Sequence, residues 1–160
     1  VTGPLGTLTR NFKNQGLEFV KEKGKLRITR YFSTRKELAI LGTITKHVMN
    51  MVTGVTEGFE YKMLACHVHF PITLSCETAQ ENDDGRARLI IRNFLGQSHS
   101  RTIVMSEGTK VINHPTAKSE IIVSGIDIEK VGTDCGNIQQ ECRARFLDSR
   151  KYLDGVYRIK

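Results

Sequence analysis

The sequence lacks any run of about eighteen apolar residues, the minimum for a helix that crosses a bilayer. Its first four residues, Val1-Thr2-Gly3-Pro4, also lack the charged and apolar segments of a secretory signal. Hydrophobic residues make up 39% of the 160-residue chain, which is enough for a core. We therefore expect a folded, soluble protein without a membrane partner. Because the chain begins without Met and directly with strand-like residues, we also expect an N-terminal piece to precede it.

Signatures of catalysis are missing as well. The sequence contains neither a G-x-S-x-G nucleophile turn nor an H-E-x-x-H helix. The segment Gly3–Thr7 lacks the Gly-Lys-Ser/Thr ending of a phosphate loop, so we interpret it as a tight turn between strands whose N–H groups could still touch an RNA phosphate. We predict that the protein is not an enzyme, needs no cofactor and takes no small-molecule substrate.

Metal ligands are sparse. The cysteines form no C-x-x-C pair, and we interpret them as reduced thiols of a cytosolic or nuclear protein: Cys66, Cys76, Cys135 and Cys142. His67 and His69 place two imidazoles on one strand face, but no spacing supplies a third ligand. Solvent-exposed or RNA-contacting histidines are the favoured interpretation, and no metal site is predicted.

Positive charge is what the sequence has in excess. It contains 24 Lys and Arg against 17 Asp and Glu, for a net charge of +7 and a pI near 9.4, which favours a polyanionic partner. One stretch holds Arg10, Lys13, Lys21, Lys23, Lys25, Arg27, Arg30, Arg35 and Lys36 against Glu18 and Glu22. Another holds Arg143, Arg145, Arg150, Lys151, Arg158 and Lys160 against Asp148 and Asp154. A solvated face is the alternative for each stretch, but two such stretches favour phosphate binding.

The first half begins with a predicted β-hairpin and continues with a helix. The hairpin consists of residues 17–20 and 26–29 around a turn that contains Gly24. Thr34 and Glu37 form a capping box, and an apolar stripe at helical spacing follows and ends at Gly54. The stripe is predicted to be core, and its members are Leu38, Leu41, Ile44, Val48 and Met51.

The period of the pattern then changes to two. Apolar residues from Leu64 to Leu74 share one parity, which predicts one half-buried strand, bent or on an edge because of Pro71. Residues 81–85, an acidic turn with Gly85, predict either a boundary between two halves or a hairpin tip.

The second half repeats this order of strands followed by a helix. Strands are predicted over residues 88–94, 100–105, 110–113 and 120–126, and a weaker helical stripe comprises Cys135, Ile138, Cys142 and Phe146. Because strands precede a single helix in each half, the pattern favours an α+β fold with antiparallel sheets.

Segments along nearly the whole chain resemble the L-six family of large-subunit ribosomal proteins, in its eukaryotic L-nine branch. In the first half they are residues 3–8, 35–39, 54–63 and 69–72. In the second half they are Ile91-Arg92-Asn93-Phe94-Leu95-Gly96, residues 125–129, Ile138-Gln139-Gln140 and Arg150-Lys151-Tyr152-Leu153-Asp154-Gly155-Val156-Tyr157. The match lies in their order and extent more than in any single motif.

This resemblance implies a tandem of two similar domains, residues 1–80 and 81–160, each an antiparallel β-sheet packed on one helix. It implies that the second domain is the main anchor on large-subunit ribosomal RNA, near the sarcin-ricin loop and the stalk base, beside neighbouring ribosomal proteins. The implied role is structural, in subunit assembly and translation, in the cytoplasm after nuclear and nucleolar transit. The family's first strand is absent here, and the acidic turn looks longer than usual. A free-standing RNA-binding regulator or chaperone remains the alternative.

Further RNA-binding candidates in the second half are Arg92, Arg101 and Tyr157. Aromatic residues near basic ones suit stacking on unpaired bases, and these are Phe12, Phe19, Tyr31, Phe32, Phe94 and Tyr157. Because a Phe on a strand is usually buried, we predict most of them to be core, with Tyr157 as the exception. Alternation lets either Tyr152 or Leu153 pack inward while Arg150 and Lys151 reach for RNA.

Overall fold

A computed structural model describes residues 1–13, 15–80, 82, 84–117, 119–145 and 147–159. The described residues form two α-helices and eleven β-strands, and every strand pairing is antiparallel. The predicted α+β class is therefore confirmed. The chain divides into two compact units, Val1–Glu57 and Gly58–Lys160. The predicted repeat boundary at residue 80 stays a prediction. None of the described helices is long and apolar enough to span a bilayer.

The first unit contains two small hairpins and the longer helix: β1 (Thr2–Gly3), β2 (Gly6–Thr7), β3 (Glu18–Glu22), β4 (Lys25–Thr29) and α1 (Arg35–Thr56). The predicted tight turn joins β1 to β2, and a Cβ at Gly3 would lie 2.6 Å from a methyl carbon of Val55 on α1. The predicted basic hairpin is β3–β4. Lys23 and Gly24 form its two-residue turn with positive φ at both positions, which suits the twist of a tight hairpin.

Thr34 is the N-cap of helix α1, as the capping box predicted, but the helix does not end at Gly54. It continues to Thr56, and the N–H of Glu57 donates to the carbonyl of Thr53 at 2.8 Å. Gly54 is instead a buried helical residue. A glycine at the end of an apolar stripe can allow close packing as well as a helix stop, and the sequence pattern does not distinguish these uses.

The prediction that the α1 stripe is core was wrong for most of its members. Only Ile44, at 3% exposure, is buried, whereas Leu38 is 48% exposed. The other three stripe residues, Leu41, Val48 and Met51, are half-buried. Within the first unit, the main contacts of α1 are with β1 and β4, and these short strands cover only part of a helix of 22 residues.

The second unit contains the main core and the remaining elements: β5 (Phe59–Cys66), β6 (Thr73–Glu77), β7 (Arg88–Arg92), β8 (Arg101–Val104), β9 (Thr109–Asn113), β10 (Glu120–Gly125), α2 (Ile128–Glu141) and β11 (Gly155–Arg158). One sheet has the order β11-β5-β10-β9 and the other β6-β7-β8. Helix α2 packs on β5, β10, β11 and β8. Its predicted stripe is confirmed for Cys135, Ile138 and Cys142, which are buried; Phe146 lies outside the described residues.

The single strand predicted from Leu64 to Leu74 was wrong. The structure has two strands there, β5 and β6, separated by residues 67–72. In β5 the buried residues are Met63 and Ala65, the parity opposite to the predicted one, whereas β6 buries Leu74. Val68 is 80% exposed, because the chain leaves the sheet after Cys66 and alternation no longer determines which side chains face the core.

The acidic turn is a hairpin tip. It connects β6 to β7, which pair directly from Thr73 with Arg92 to Glu77 with Arg88. The side-chain amide of Asn82 donates to the carbonyls of Thr78 and Arg86, which closes the tip. Glu81 and Asp83 lie outside the described residues.

Candidate nucleic-acid interface

Fifteen of the seventeen predicted RNA-binding residues are exposed, and two, Arg30 and Arg101, are partly buried. In the second unit, the exposed candidates gather mainly after α2 and on β11. Two neighbouring grooves lie at the C-terminal end of α2. They share Gln140, Arg143 and Ala144, so the first residues after the helix form the ridge between them.

The larger groove has a volume of about 650 Å³ and runs between β8 and the last turn of α2. Arg143 and Arg145 line it, and Asn137 and Gln140 add polar groups from the helix. Among the described residues that line it, the only carboxylate is that of Glu141, which lies 4.0 Å from Arg145. Two guanidinium groups therefore face one carboxylate, and this excess of positive charge suits a phosphate.

The smaller groove, of about 240 Å³, has a different electrostatic balance. Arg143 lines it together with the carboxylate of Asp154, which is 8% exposed. Tyr152 and Tyr157 provide aromatic walls. Since one cation faces one carboxylate, this groove is less suited to an anion than the larger one.

Tyr157 is held in place by its neighbours on the chain. Its hydroxyl donates to the carbonyl of Leu153 at 3.0 Å. A Cβ at Gly155 would lie 3.0 Å from the Tyr157 ring, so the glycine leaves room for the ring, a close approach rather than a special backbone angle. The inward packing expected of Tyr152 or Leu153 is not observed. Both are exposed, and the buried residues of this segment are 154–156.

The turn before β11 presents two cations to solvent. The N–H of Arg150 donates to the carboxylate of Asp148 at 2.9 Å, and the N–H groups of Lys151 and Tyr152 donate to the Asp148 carbonyl. Asp148 thus organises the backbone while the side chains of Arg150 and Lys151 remain exposed. Arg158, on β11, places its guanidinium 4.1 Å from the centre of the Tyr61 ring.

Arg92 and Arg101 differ in their surroundings. Arg92 is exposed at the end of β7. The guanidinium of Arg101 lies 4.5 Å from the centre of the Phe94 ring and donates to the carbonyl of Glu141 and the side chain of Gln97. Arg101 therefore joins β8 to the end of α2, and its role in RNA binding stays a prediction.

In the first unit, the basic residues of the β3–β4 hairpin lie on two faces. Lys21 pairs with Leu26, and Phe19 pairs with Ile28, so these four side chains share one face. Lys25 and Arg27 belong to the other face, where Arg27 lies 3.2 Å from Glu22. Alternation thus separates cations that are close in sequence. Lys23 occupies the turn.

The other candidate cations of the first unit lie before or directly after the hairpin in the chain, or in the first turn of α1. Arg10 lies 5.8 Å from the Phe12 ring, and Lys13 shares with Phe12 and Phe19 the lining of a shallow depression. Arg30 is only 16% exposed. It lies 2.9 Å from Glu37 and donates to the carbonyl of Gln15. Arg35 and Lys36 are exposed in the first turn of α1.

The prediction that most of the aromatic candidates are core was wrong. Phe94 is buried and Phe12 half-buried, but Phe19, Tyr31 and Phe32 are exposed. Phe19 is 40% exposed on the β3–β4 hairpin, and its ring stacks on that of Phe12 with the ring centres 5.9 Å apart. Tyr157, the predicted exception, is exposed.

Metal and thiol chemistry have few candidates. Among the described residues, no three His, Cys, Asp or Glu side chains lie close enough together to hold a metal ion. His67 and His69 are exposed. All four cysteines are free, and burial raises the pKa of Cys76, Cys135 and Cys142 to about 11, so these thiols are protonated at neutral pH.

Sequence reasoning missed the polar lining that α2 gives to the grooves. Asn137, Gln139 and Gln140 lie on the exposed side of the helix beside Arg143. Amide side chains can both donate to phosphate oxygens and accept from ribose hydroxyls. The sequence does contain a run of polar residues opposite the buried stripe of α2, but such a run is also typical of an ordinary solvated helix face.

Comparisons with known proteins give consistent matches. The model of the family described as Ribosomal protein L6 matches residues 1–58. The chain is 40% identical over 158 residues to "Large ribosomal subunit protein uL6" of Candida albicans, a match that covers 98% of this chain and 81% of that protein. The figures are 38% over 158 residues for uL6B of Saccharomyces cerevisiae and 38% over 160 residues for uL6 of Staphylothermus marinus, with the same coverage.

Proposed function

The chain belongs to the ribosomal protein L6 family, and we propose that it is a structural constituent of the large ribosomal subunit that binds large-subunit ribosomal RNA. The observation that carries this proposal is the extent of the match, since relatives named as large-subunit proteins align with 98% of the chain. We further propose that it lies near the sarcin-ricin loop and the stalk base, beside other ribosomal proteins, and supports subunit assembly and translation.

The second unit supplies the main anchor in this proposal. The larger groove at the end of α2 receives a phosphate between Arg143 and Arg145. The side-chain amides of Asn137 and Gln140 form hydrogen bonds with the sugar-phosphate backbone. The turn at Arg150 and Lys151 provides further cations on the same unit. Each phosphate neutralised in this way releases bound counterions, so the affinity depends on salt.

The first unit supplies a separate contact. The face of the β3–β4 hairpin that holds Lys21 carries no acidic residue on its paired positions, whereas the opposite face holds Glu18 and Glu22. A polyanion therefore meets the Lys21 face with the smaller repulsion. Arg35 and Lys36 extend the positive charge at the start of α1.

We also propose that the protein has no enzymatic activity, in keeping with the structural role of its family, and that it passes through the nucleolus during subunit assembly. Its RNA-binding groups are guanidinium, ammonium and amide groups. These hold phosphates in register without themselves forming or breaking bonds.

Sedimentation of cell extracts tests the proposal directly. In high-salt sucrose gradients, the tagged 160-residue chain should migrate quantitatively with large subunits. Recovery of the chain only at the top of the gradient would overturn the proposal and favour a free-standing RNA-binding module. Dimethyl sulfate footprinting shows which RNA bases the chain protects. Protected bases that lie away from the sarcin-ricin loop and the stalk base would reject the proposed location alone.

A further inference from the structure

Two adjacent aromatic side chains, in the loop just before α1, are exposed. Tyr31 is 66% exposed and Phe32 is fully exposed. No ring contact of either is found among the described residues. Exposed apolar residues on a protein surface are usually scattered singly, whereas here two neighbouring rings share one short loop.

The loop that carries them is held firmly at both ends. Arg30, directly before Tyr31, lies 2.9 Å from Glu37 and donates to the carbonyl of Gln15 at 2.7 Å. Thr34, two residues after Phe32, is joined to Glu37 by the capping box. The rings thus project from a loop whose backbone is fixed by ionic and capping contacts, and binding a partner would order little more than the two side chains.

The backbone at Phe32 is itself unusual. Its φ is +49°, in the left-handed region that a residue with a Cβ rarely adopts. A bulky side chain at such an angle is unfavourable, and no burial of the ring compensates for it. Unfavourable backbone angles of this kind cluster at functional sites, where they set the direction of a side chain.

The charges around the loop select the kind of partner. Residues 30–36 contain three cations and no acid. Because Arg30 is engaged by Glu37, the cations facing solvent are Arg35 and Lys36 in the first turn of α1. An apolar protein surface would satisfy the rings but not these charges. An RNA strand with an unpaired base offers a flat ring for stacking and a phosphate for each cation.

We infer that Tyr31 and Phe32 form a stacking platform for an unpaired RNA base, with Arg35 and Lys36 holding the phosphates on either side. The inference rests on the proposed function and adds a second RNA contact, of a different chemistry from the groove at the end of α2. The platform recognises the exposed faces of bases in a loop or bulge, and base-paired RNA presents no such face.

Ultraviolet cross-linking of purified large subunits that contain the chain tests the platform in its complex. Trypsin cuts after Arg30 and Arg35 and so releases both rings in one peptide, residues 31–35. After irradiation and nuclease treatment, mass spectrometry should find this peptide with a nucleotide attached. Subunits that yield nucleotide adducts on peptides from residues 143–158 but none on residues 31–35 would overturn the platform and leave the proposed function intact. A chain that does not enter subunits would overturn both.

Binding to a short probe separates stacking from charge. An unpaired oligoadenylate of about 12 nucleotides should bind the 160-residue chain at least about fivefold more weakly after Phe32→Ala, since one stacked base contributes about 1–3 kcal/mol. Phe32→Trp should retain the affinity. Val68→Ala removes another exposed apolar side chain, at 80% exposure, that has no Lys or Arg beside it in the sequence, and it should have no effect. Equal affinities of the parent chain and Phe32→Ala for the probe would reject the platform. A photoreactive group placed at position 32 would also reject it if, in large subunits, it cross-linked to protein instead of RNA.

Discussion

The guanidinium of Arg30 lies 2.9 Å from one carboxylate oxygen of Glu37, while the other oxygen accepts hydrogen bonds from the N–H and hydroxyl of Thr34 at 2.8 and 3.0 Å. One carboxylate therefore caps α1 and fixes the residue before the exposed aromatic pair. The sequence placed Arg30 among the RNA-binding cations because it lies in a basic stretch. In the structure its charge is engaged within the unit.

Acid should weaken the start of α1 through Glu37. Hydrogen bonds from the Thr34 N–H and hydroxyl, and then the charge of Arg30, lower the pKa of Glu37 below its ordinary value of 4.5. A lowered pKa in the folded state stabilises the fold above pH 4.5, and this contribution is lost as pH falls through the lowered pKa. Urea unfolding followed by circular dichroism should show the parent chain more stable than Glu37→Gln at neutral pH. The difference should shrink below pH 4.5, and a difference independent of pH would contradict this account.

Glycine at position 32 should stabilise the protein. The left-handed backbone costs a residue with a Cβ about 1–2 kcal/mol, whereas the flexibility of glycine in the unfolded chain costs about 0.5–1 kcal/mol. Phe32→Gly should therefore raise the free energy of unfolding by up to about 1.5 kcal/mol. Tyr31→Gly is the matched control, because φ at Tyr31 is not positive, and it should lower stability. Destabilisation by both substitutions would argue against strain at Phe32.

Charge reversal on the two faces of the basic hairpin should have unequal effects. Lys21 shares its face with Leu26, whereas Arg27 already lies 3.2 Å from Glu22. Lys21→Glu should weaken binding to a ribosomal RNA fragment more than Arg27→Glu does. Lys21→Gln should also reduce the slope of log affinity against log salt by about 0.7–0.9, the value of one phosphate contact. Equal losses from both reversals would mean that the hairpin binds with both faces or with neither.

Reversal of the charges at Arg150 and Lys151 should separate folding from assembly. Both side chains are exposed, so the double change to Glu should alter the free energy of unfolding by no more than about 0.5 kcal/mol. Its incorporation into large subunits, measured in sucrose gradients, should nevertheless fall. Lys110→Glu reverses one exposed charge on β9, outside the proposed anchor, and should be incorporated normally. Arg150→Glu alone also reverses one charge, so Lys110→Glu is its matched control. Normal incorporation of the double variant would make this segment a solvated surface.

Truncations along α1 should divide according to burial and not according to sequence periodicity. Ile44 is 3% exposed and Leu38 is 48% exposed, although both belong to the same apolar stripe. Ile44→Ala should lower the free energy of unfolding by about 2–5 kcal/mol, as buried truncations do, and Leu38→Ala by much less. Chemical denaturation of the two variants measures the difference. Similar losses would show that Leu38 is covered in solution.

Local signals in the sequence predicted many of the elements correctly. The capping box located the start of α1, and alternating residues located β7 to β10. These predictions succeed because a cap, a turn and an amphipathic strand are specified by residues within a few positions of one another. The same locality explains why Arg150 and Lys151 were recognised as exposed: the turn that presents them is closed by Asp148, their near neighbour.

The sequence by itself determined the α+β class, the basic character and the family of this protein. Only the tertiary structure decided which side chains are covered and which charges are engaged. Leu38 and Ile44 belong to the same apolar stripe, but only Ile44 is buried. Arg30 and Arg35 carry the same charge, but Arg30 forms an ion pair with Glu37 whereas Arg35 is exposed. Burial depends on what packs from elsewhere in the chain. An ion pair such as Arg30 with Glu37 depends on distances of a few ångströms, which residue order does not specify.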